Sequence, residues 1–336
     1  MSTARPFRSP SAWQIAKSGL IAASLCCTAM DATAQTPPAE PTAAPSPGEI
    51  VAAAPQSDWQ TIADRDLLVM TLAPDAAGHP RQVVIQLMPP PFSQGWVDNI
   101  RSLAEAHWWD GTSINRVQDN YVVQWGDAAA DEDSAKPLPE GLKTIPQSDY
   151  VAPISPAIQA ELSYLSGLET LVQLPDNYAA QALFLNGWPL ALDGESIWPV
   201  HCYGMVGVGR GYAPDTGSGA ELYTVIGQAP RHLDRNIALV GRVVEGMEYL
   251  SSLPRGTGEL GFYEEAGQRV PIESIRLASE LPPDERPRLE MMKTASKSFM
   301  AYADARANRR DPFFEVPAGG ADVCNIPVPV RPVPLP

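Results

Sequence analysis

Trp108-Trp109-Asp110-Gly111-Thr112-Ser113-Ile114-Asn115-Arg116-Val117-Gln118-Asp119-Asn120-Tyr121-Val122-Val123-Gln124-Trp125-Gly126-Asp127 is the stretch that decides how this chain is read. Asp110-Gly111 is a turn dipeptide, after which Ser113–Gln118 and Tyr121–Trp125 are short runs rich in β-branched and aromatic residues. The stretch therefore predicts a turn followed by two strands. Upstream, Trp96, Ile100, Leu103 and His107 fall on one face of a helix for which Ser93 is the expected cap. Before that helix, Leu67–Leu72 and Gln82–Leu87 flank the turn-rich Pro74-Asp75-Ala76-Ala77-Gly78 and predict an antiparallel pair.

Downstream, residues 128–200 are less regular and punctuated by proline, with one helical pattern at 156–171 carried by Ile158, Leu162, Leu165 and Leu168. Strand patterning resumes at Tyr203–Val208, Glu221–Ile226, Ile237–Val243 and Ile272–Leu277, with a short helix over Glu245–Leu253. Many short strands with few helices predict a β-barrel or sandwich. Beyond Pro283, Leu289, Met292, Phe299 and Tyr302 recur at helical spacing and predict a tail helix. The alternating prolines from Ile326 onward predict an extended, polyproline-like end.

Of the 336 residues 35 are proline, about twice average usage, and they gather at the two ends. Net charge is −15, which argues against nucleic-acid binding and against attachment to an anionic membrane surface, since both need a basic face. Residues 1–34 read as a cleaved export signal. Arg5, Arg8 and Lys17 lead a short apolar run, Gly19 to Ala29, and Ala32-Thr33-Ala34 supplies small residues for cleavage after Ala34. Cys26 and Cys27 raise a lipidation alternative that Ser24-Leu25 disfavours. No run approaches the ~20 apolar residues that span a bilayer, so the expectation is a periplasmic protein without a membrane span, acting as a monomer. Residues 35–57 read as a Pro/Ala-rich linker, 58–281 as the folded domain with its insertion at 128–200, and 282–336 as a helical then Pro-rich tail. Cys202 and Cys324 either form one disulfide, as an oxidising compartment permits, or stay unpaired; the sequence leaves both open.

Conventional catalytic signals are weak. His79, His107, His201 and His232 show no metal-ligand spacing. Gly207-Val208-Gly209-Arg210-Gly211 departs from a dinucleotide loop because Tyr212 follows where its third glycine needs to come. No G-x-S-x-G elbow occurs, and no cofactor is expected.

Residues 108–127 nonetheless resemble the cyclophilin signature, in which an aspartate- or lysine-glycine turn is followed by F-H-R and then Q-G-G-D. A second block matches in order: Gly219 to Tyr223, His232-Leu233-Asp234, and Leu239-Val240-Gly241-Arg242-Val243-Val244-Glu245-Gly246-Met247. The resemblance covers about 67–280 and implies a mainly-β fold, a closed eight-stranded antiparallel barrel capped by two helices. It implies peptidyl-prolyl cis-trans isomerase activity on proline-containing polypeptides. The alternative is a proline-peptide clamp or chaperone with little turnover. Arg116 takes the place of the family's catalytic arginine and Gln124 that of the glutamine that holds it. Tyr121 and Tyr223 match two phenylalanines walling the proline pocket, Val122 a methionine, and Leu233 the pocket floor. Val206, Gly207 and Val208 fall on the strand whose backbone pairs with bound peptide, with ordinary strand packing as the competing reading. Asn115 replaces a histidine, Ile237 the pocket histidine, and His232 the loop tryptophan, which implies weak cyclosporin binding. Glu221 replaces a glutamine and is expected near enough to Arg116 to compete for its donors.

Overall fold

The computed structural model describes residues 43–130 and 132–334. The expected export signal at 1–34 and residues 35–42 of the expected linker lie outside these.

Eight strands close into an antiparallel barrel: β1 (Leu67–Leu72), β2 (Arg81–Leu87), β3 (Ser113–Val117), β4 (Val122–Gly126), β5 (Met205–Val208), β6 (Leu222–Val225), β7 (Leu239–Glu245) and β8 (Val270–Leu277). Around the barrel they run β5-β6-β4-β3-β8-β1-β2-β7 and back to β5. Alternation sets the interior. Leu68, Met70 and Leu72 of β1 pack with Val83, Ile85 and Leu87 of β2 in the main core, together with Val123 and Trp125 of β4. The chain has five helices among the described residues: α1 (Pro47–Ala53), α2 (Gln94–Glu105), α3 (Pro156–Gly167), α4 (Met247–Ser251) and α5 (Lys297–Ala307). The barrel is capped by α2, which buries Trp96, Val97, Ile100 and Leu103, and by α4, which buries Leu250. None of the described helices is long and apolar enough to cross a membrane.

Local departures from the sequence reading have physical causes. Ser93 precedes α2 in a left-handed conformation and its side chain makes no capping hydrogen bond. His107 lies beyond the helix, exposed and itself left-handed (φ 52°), because the chain reverses there to reach the Asp110-Gly111 turn. Within the expected linker, residues 47–53 form α1. Ser46 caps it, its side chain accepting from the Glu49 N–H while the Glu49 carboxylate accepts from the Ser46 N–H, and Pro47 occupies the first turn, where a missing N–H costs nothing.

The insertion is far more ordered than its proline content suggests. It folds into a five-stranded antiparallel sheet, in the order Ala152–Pro153, Ser196–Pro199, Trp188–Asp193, Gln181–Leu185 and Gln173–Leu174. The central hairpin turns on Asn186-Gly187, both at positive φ (51° and 84°), with Leu185 opposite Trp188. This is the two-residue turn that a right-handed strand twist favours.

The tail also departs from a simple helix. Leu289–Met292 is a strand that pairs with Trp59–Thr61 on one side and with Val330–Pro332 on the other. Leu289 and Met291 cover the outer face of β1 and β2, where Leu67, Val69 and Val84 form a second core with Ile62. That cover explains why β1 reads as an unbroken apolar run: both of its faces are buried. Among the described residues of the tail the α-helix is confined to 297–307, with Phe299 edge-on to Phe184 of the insertion at 5.1 Å. A disulfide joins Cys202 to Cys324 across 122 residues.

Candidate active site

Strand register aligns four residues in one row across β3, β4, β6 and β5. Arg116 lies opposite Gln124, Gln124 opposite Tyr223, and Tyr223 opposite Gly207. Val123, Trp125, Leu222, Val206 and Val208 point into the main core, so by alternation this row lies on the outer face. Through Tyr223 the row continues into an apolar cluster with Val122 and Val225, edged by Tyr121 and Ile237.

The half-buried Arg116 guanidinium is held from three directions. Its Nε donates to the Leu260 carbonyl at 2.7 Å, Nη1 to Gln124 Oε1 at 3.2 Å, and Nη2 to Gln118 Oε1. The rings of Tyr121 and Phe262 lie 5.6 and 5.4 Å from its Cζ. Burial pushes its pKa below the usual guanidinium range, because desolvation penalises the charged form. A donor in such surroundings makes stronger hydrogen bonds than one in bulk water. Asn115 faces the other way: its side chain is buried and donates to the Gly126 carbonyl at 3.2 Å, bracing β3 against β4.

The Tyr223 ring lies so close over Gly207 that any β-carbon there would collide with it. Gly207 is therefore the seat of the pocket wall. Its neighbours Val206 and Val208 pack in the barrel core, and β5 is paired to β6 on one side and β7 on the other. The pairing with β7 shifts register between Val206 and Gly207. Glu221 is half-buried with its carboxylate against Gly126, where a β-carbon would again collide. Ile237 joins the apolar cluster, Leu233 is half-buried, and His232 is exposed.

Behind the wall runs a buried polar chain that sequence reading did not anticipate. The Tyr223 hydroxyl meets His201 Nε2 at 2.9 Å, and His201 Nδ1 meets Asp234 Oδ1 at 2.8 Å. Arg231 Nε donates to Asp234 Oδ2 at 2.6 Å, while its Nη1 and Nη2 donate to Asp176 Oδ2 at 2.7 Å and Oδ1 at 3.1 Å. Burial pushes the His201 pKa below its usual 6.5, outweighing the opposing pull of Asp234, so the ring is neutral at neutral pH. For Asp234, burial acts upward but the hydrogen bonds and charges of His201 and Arg231 win, holding it below 3.8 as a carboxylate. A carboxylate only accepts, so Nδ1 carries the His201 proton and Nε2 accepts from the Tyr223 hydroxyl. Burial raises the Tyr223 pKa well above 10, consistent with a hydroxyl that keeps its proton. Asp176 belongs to the insertion and its side chain is 1% exposed, which ties the insertion to the 3-10 turn Arg231–Leu233. Arg231 and Asp234 are three residues apart, but His201 and Asp176 are distant from them in sequence, and only the residue types hint at the partnership. Gln118, Leu260 and Phe262 were likewise missed; all three enter the site through contacts with Arg116.

Comparison with known proteins gives the family of this fold. The family model described as cyclophilin type peptidyl-prolyl cis-trans isomerase/CLD matches residues 85–277. Among solved structures, a cyclophilin from Hirschia baltica matches with a TM-score of 0.61 at 22% identity, covering 82% of this chain and 94% of that one. A cyclophilin type isomerase from Cryptosporidium parvum, crystallised with the dipeptide Ala-Pro, matches at 10% identity and a TM-score of 0.34, over 65% of this chain and 98% of its own. No curated protein matches the chain.

Proposed function

The chain belongs to the cyclophilin-type peptidyl-prolyl cis-trans isomerase family, and on that premise we propose that it assists the folding of exported polypeptides in the periplasm, as a monomer, with Arg116 acting on the prolyl nitrogen. Rotation about a peptide bond faces a barrier of ~18–20 kcal/mol because the nitrogen lone pair is delocalised into the carbonyl. An N–H donated to that nitrogen competes for the lone pair and is strongest when the bond is twisted, so it stabilises the transition state more than the ground state. The carrying observation is the fixed guanidinium: Leu260, Gln124 and Gln118 engage three of its five N–H groups and leave the cation little freedom to reorient. Gln124 holds Arg116, and Tyr121, Val122, Tyr223 and Ile237 wall an apolar recess for the proline ring. By the resemblance, half-buried Leu233 would floor that recess, and exposed His232 offers cyclosporin little to pack against. The signal-like residues 1–34 and the Cys202–Cys324 disulfide support an oxidising compartment outside the cytoplasm.

The test is the cis-to-trans rate of a short Ala-Xaa-Pro-Phe peptide with residues 35–336 and with Arg116→Ala. Acceleration by the unaltered protein that falls by roughly 10²–10³-fold in the variant supports the reading. No acceleration from folded protein refutes catalysis, and retained peptide binding then identifies a clamp.

A further inference from the structure

Pairing between β3 and β8 is confined to Ser113 and Ile114. Beyond that point the segment Gly256–Tyr263 takes the place of a neighbouring strand. Gly256 N–H donates to the Val117 carbonyl and Tyr263 N–H to the Asn115 carbonyl, each at 2.9 Å, and Phe262 forms a single antiparallel bridge with Arg116. The segment is internally braced: Gly258 N–H donates to the Phe262 carbonyl at 3.0 Å, and the Tyr263 hydroxyl to the Pro254 carbonyl at 2.6 Å.

Leu260 is at odds with this economy. Its φ is 55°, in the left-handed region that L-residues avoid and glycine adopts freely. Burial does not compensate, because the residue is 58% exposed. Its carbonyl receives Arg116 Nε, and a glycine would present the same carbonyl without strain. Strain of this kind persists mainly where function uses it. Phe262, two residues on and 40% exposed, brings its ring to 5.4 Å from the Arg116 Cζ.

We propose that Leu260 and Phe262 form an apolar subsite beside Arg116 that receives a bulky aliphatic or aromatic side chain of the substrate, within two residues of the isomerising proline. The spacing follows from chain geometry: a residue spans about 3.3–3.6 Å, and the 5.4 Å from guanidinium to ring therefore reaches one or two residues beyond the proline. The inference rests on the placement of the proline beside Arg116 given above. It adds a preference that the proline recess alone cannot supply.

The test uses NMR exchange spectroscopy, which reads affinity and isomerisation rate separately, on peptides with glycine on both sides of proline or with leucine or phenylalanine at one flank. The unaltered protein should bind the apolar-flanked peptides about tenfold more tightly. Leu260→Gly should cut that preference to about twofold while raising the melting temperature, since it relieves the left-handed leucine. Phe262→Ala, a change on an exposed ring, should cut it too, and circular dichroism will show that it is folded. No preference in the unaltered protein, no peptide binding, or a preference that survives both substitutions overturns the subsite. Preferential binding without any rate acceleration overturns the catalytic reading and leaves the subsite standing.

Discussion

Replacing Tyr223 by phenylalanine restores the residue type that the resemblance leads one to expect, yet the structure predicts that this lowers stability. The ring and its seat on Gly207 stay; only the hydroxyl leaves. His201 Nε2, 2.9 Å from that hydroxyl and buried, then loses its donor. A buried acceptor left unmatched costs about 1–3 kcal/mol. At roughly 2–4 °C per kcal/mol for a domain of this size, the melting temperature should fall by about 2–12 °C. The assay is calorimetric melting of Tyr223→Phe, His201→Leu and the double variant at pH 7.5. The two single losses should exceed the double loss by ~0.5–3 kcal/mol, as expected for groups in direct contact. A Tyr223→Phe protein that melts at or above the original temperature, or a double variant that is simply additive, would refute the assignment of this hydrogen bond.

Two further outcomes are expected. The His201 pKa is depressed by burial, so the unfolded state binds the extra proton as the medium becomes acidic. Stability is therefore complete above pH 6.5 and lost on descending below it, by up to about 1.4 kcal/mol per pH unit until the folded-state value is passed. Chemical denaturation between pH 7.5 and 5 should show this slope, and His201→Gln should flatten it; an unchanged slope would locate the titration elsewhere. Opening the Cys202–Cys324 bridge, by reduction or by Cys324→Ala, frees a loop of 122 residues and should cost about 2–5 kcal/mol. Equal melting temperatures with and without reductant would show that the bridge does not contribute.

The barrel was legible because its strands carry their own period-two or doubly apolar patterns, as β1, β2 and β4 do, and because the Arg116 and Gln124 positions lie close together in the chain. The insertion was legible in principle. Asn186-Gly187 between two apolar runs is a strong hairpin signal, but Pro189 beside it and the surrounding prolines read as loop. Leu289 and Met292 are three apart, a spacing that fits a helical face as readily as a strand buried on both sides, so the pattern alone does not reveal the strand at 289–292. The polar chain from Tyr223 to Asp176 was not legible. It is assembled from the ends of four separate segments, and no local period records such a partnership. Leu260 was invisible for a related reason: left-handed backbone is predicted for glycine or asparagine, and a leucine there is known only once the fold is seen.

The small sheet over the outer face of β1 and β2 has a consequence for how the chain reaches its native state. Its first strand, Trp59–Thr61, cannot pair until Leu289–Met292 is available, and Leu289–Met292 in turn takes Val330–Pro332 on its other edge. Contacts so distant in sequence slow the search for the native topology. A polypeptide released progressively, amino end first, would keep Leu67, Val69 and Val84 uncovered until Leu289 and Met291 arrive. The protein that we propose helps others to fold is therefore itself a late folder, with a sticky face that stays open to chaperones, proteases or its own kind through most of its emergence.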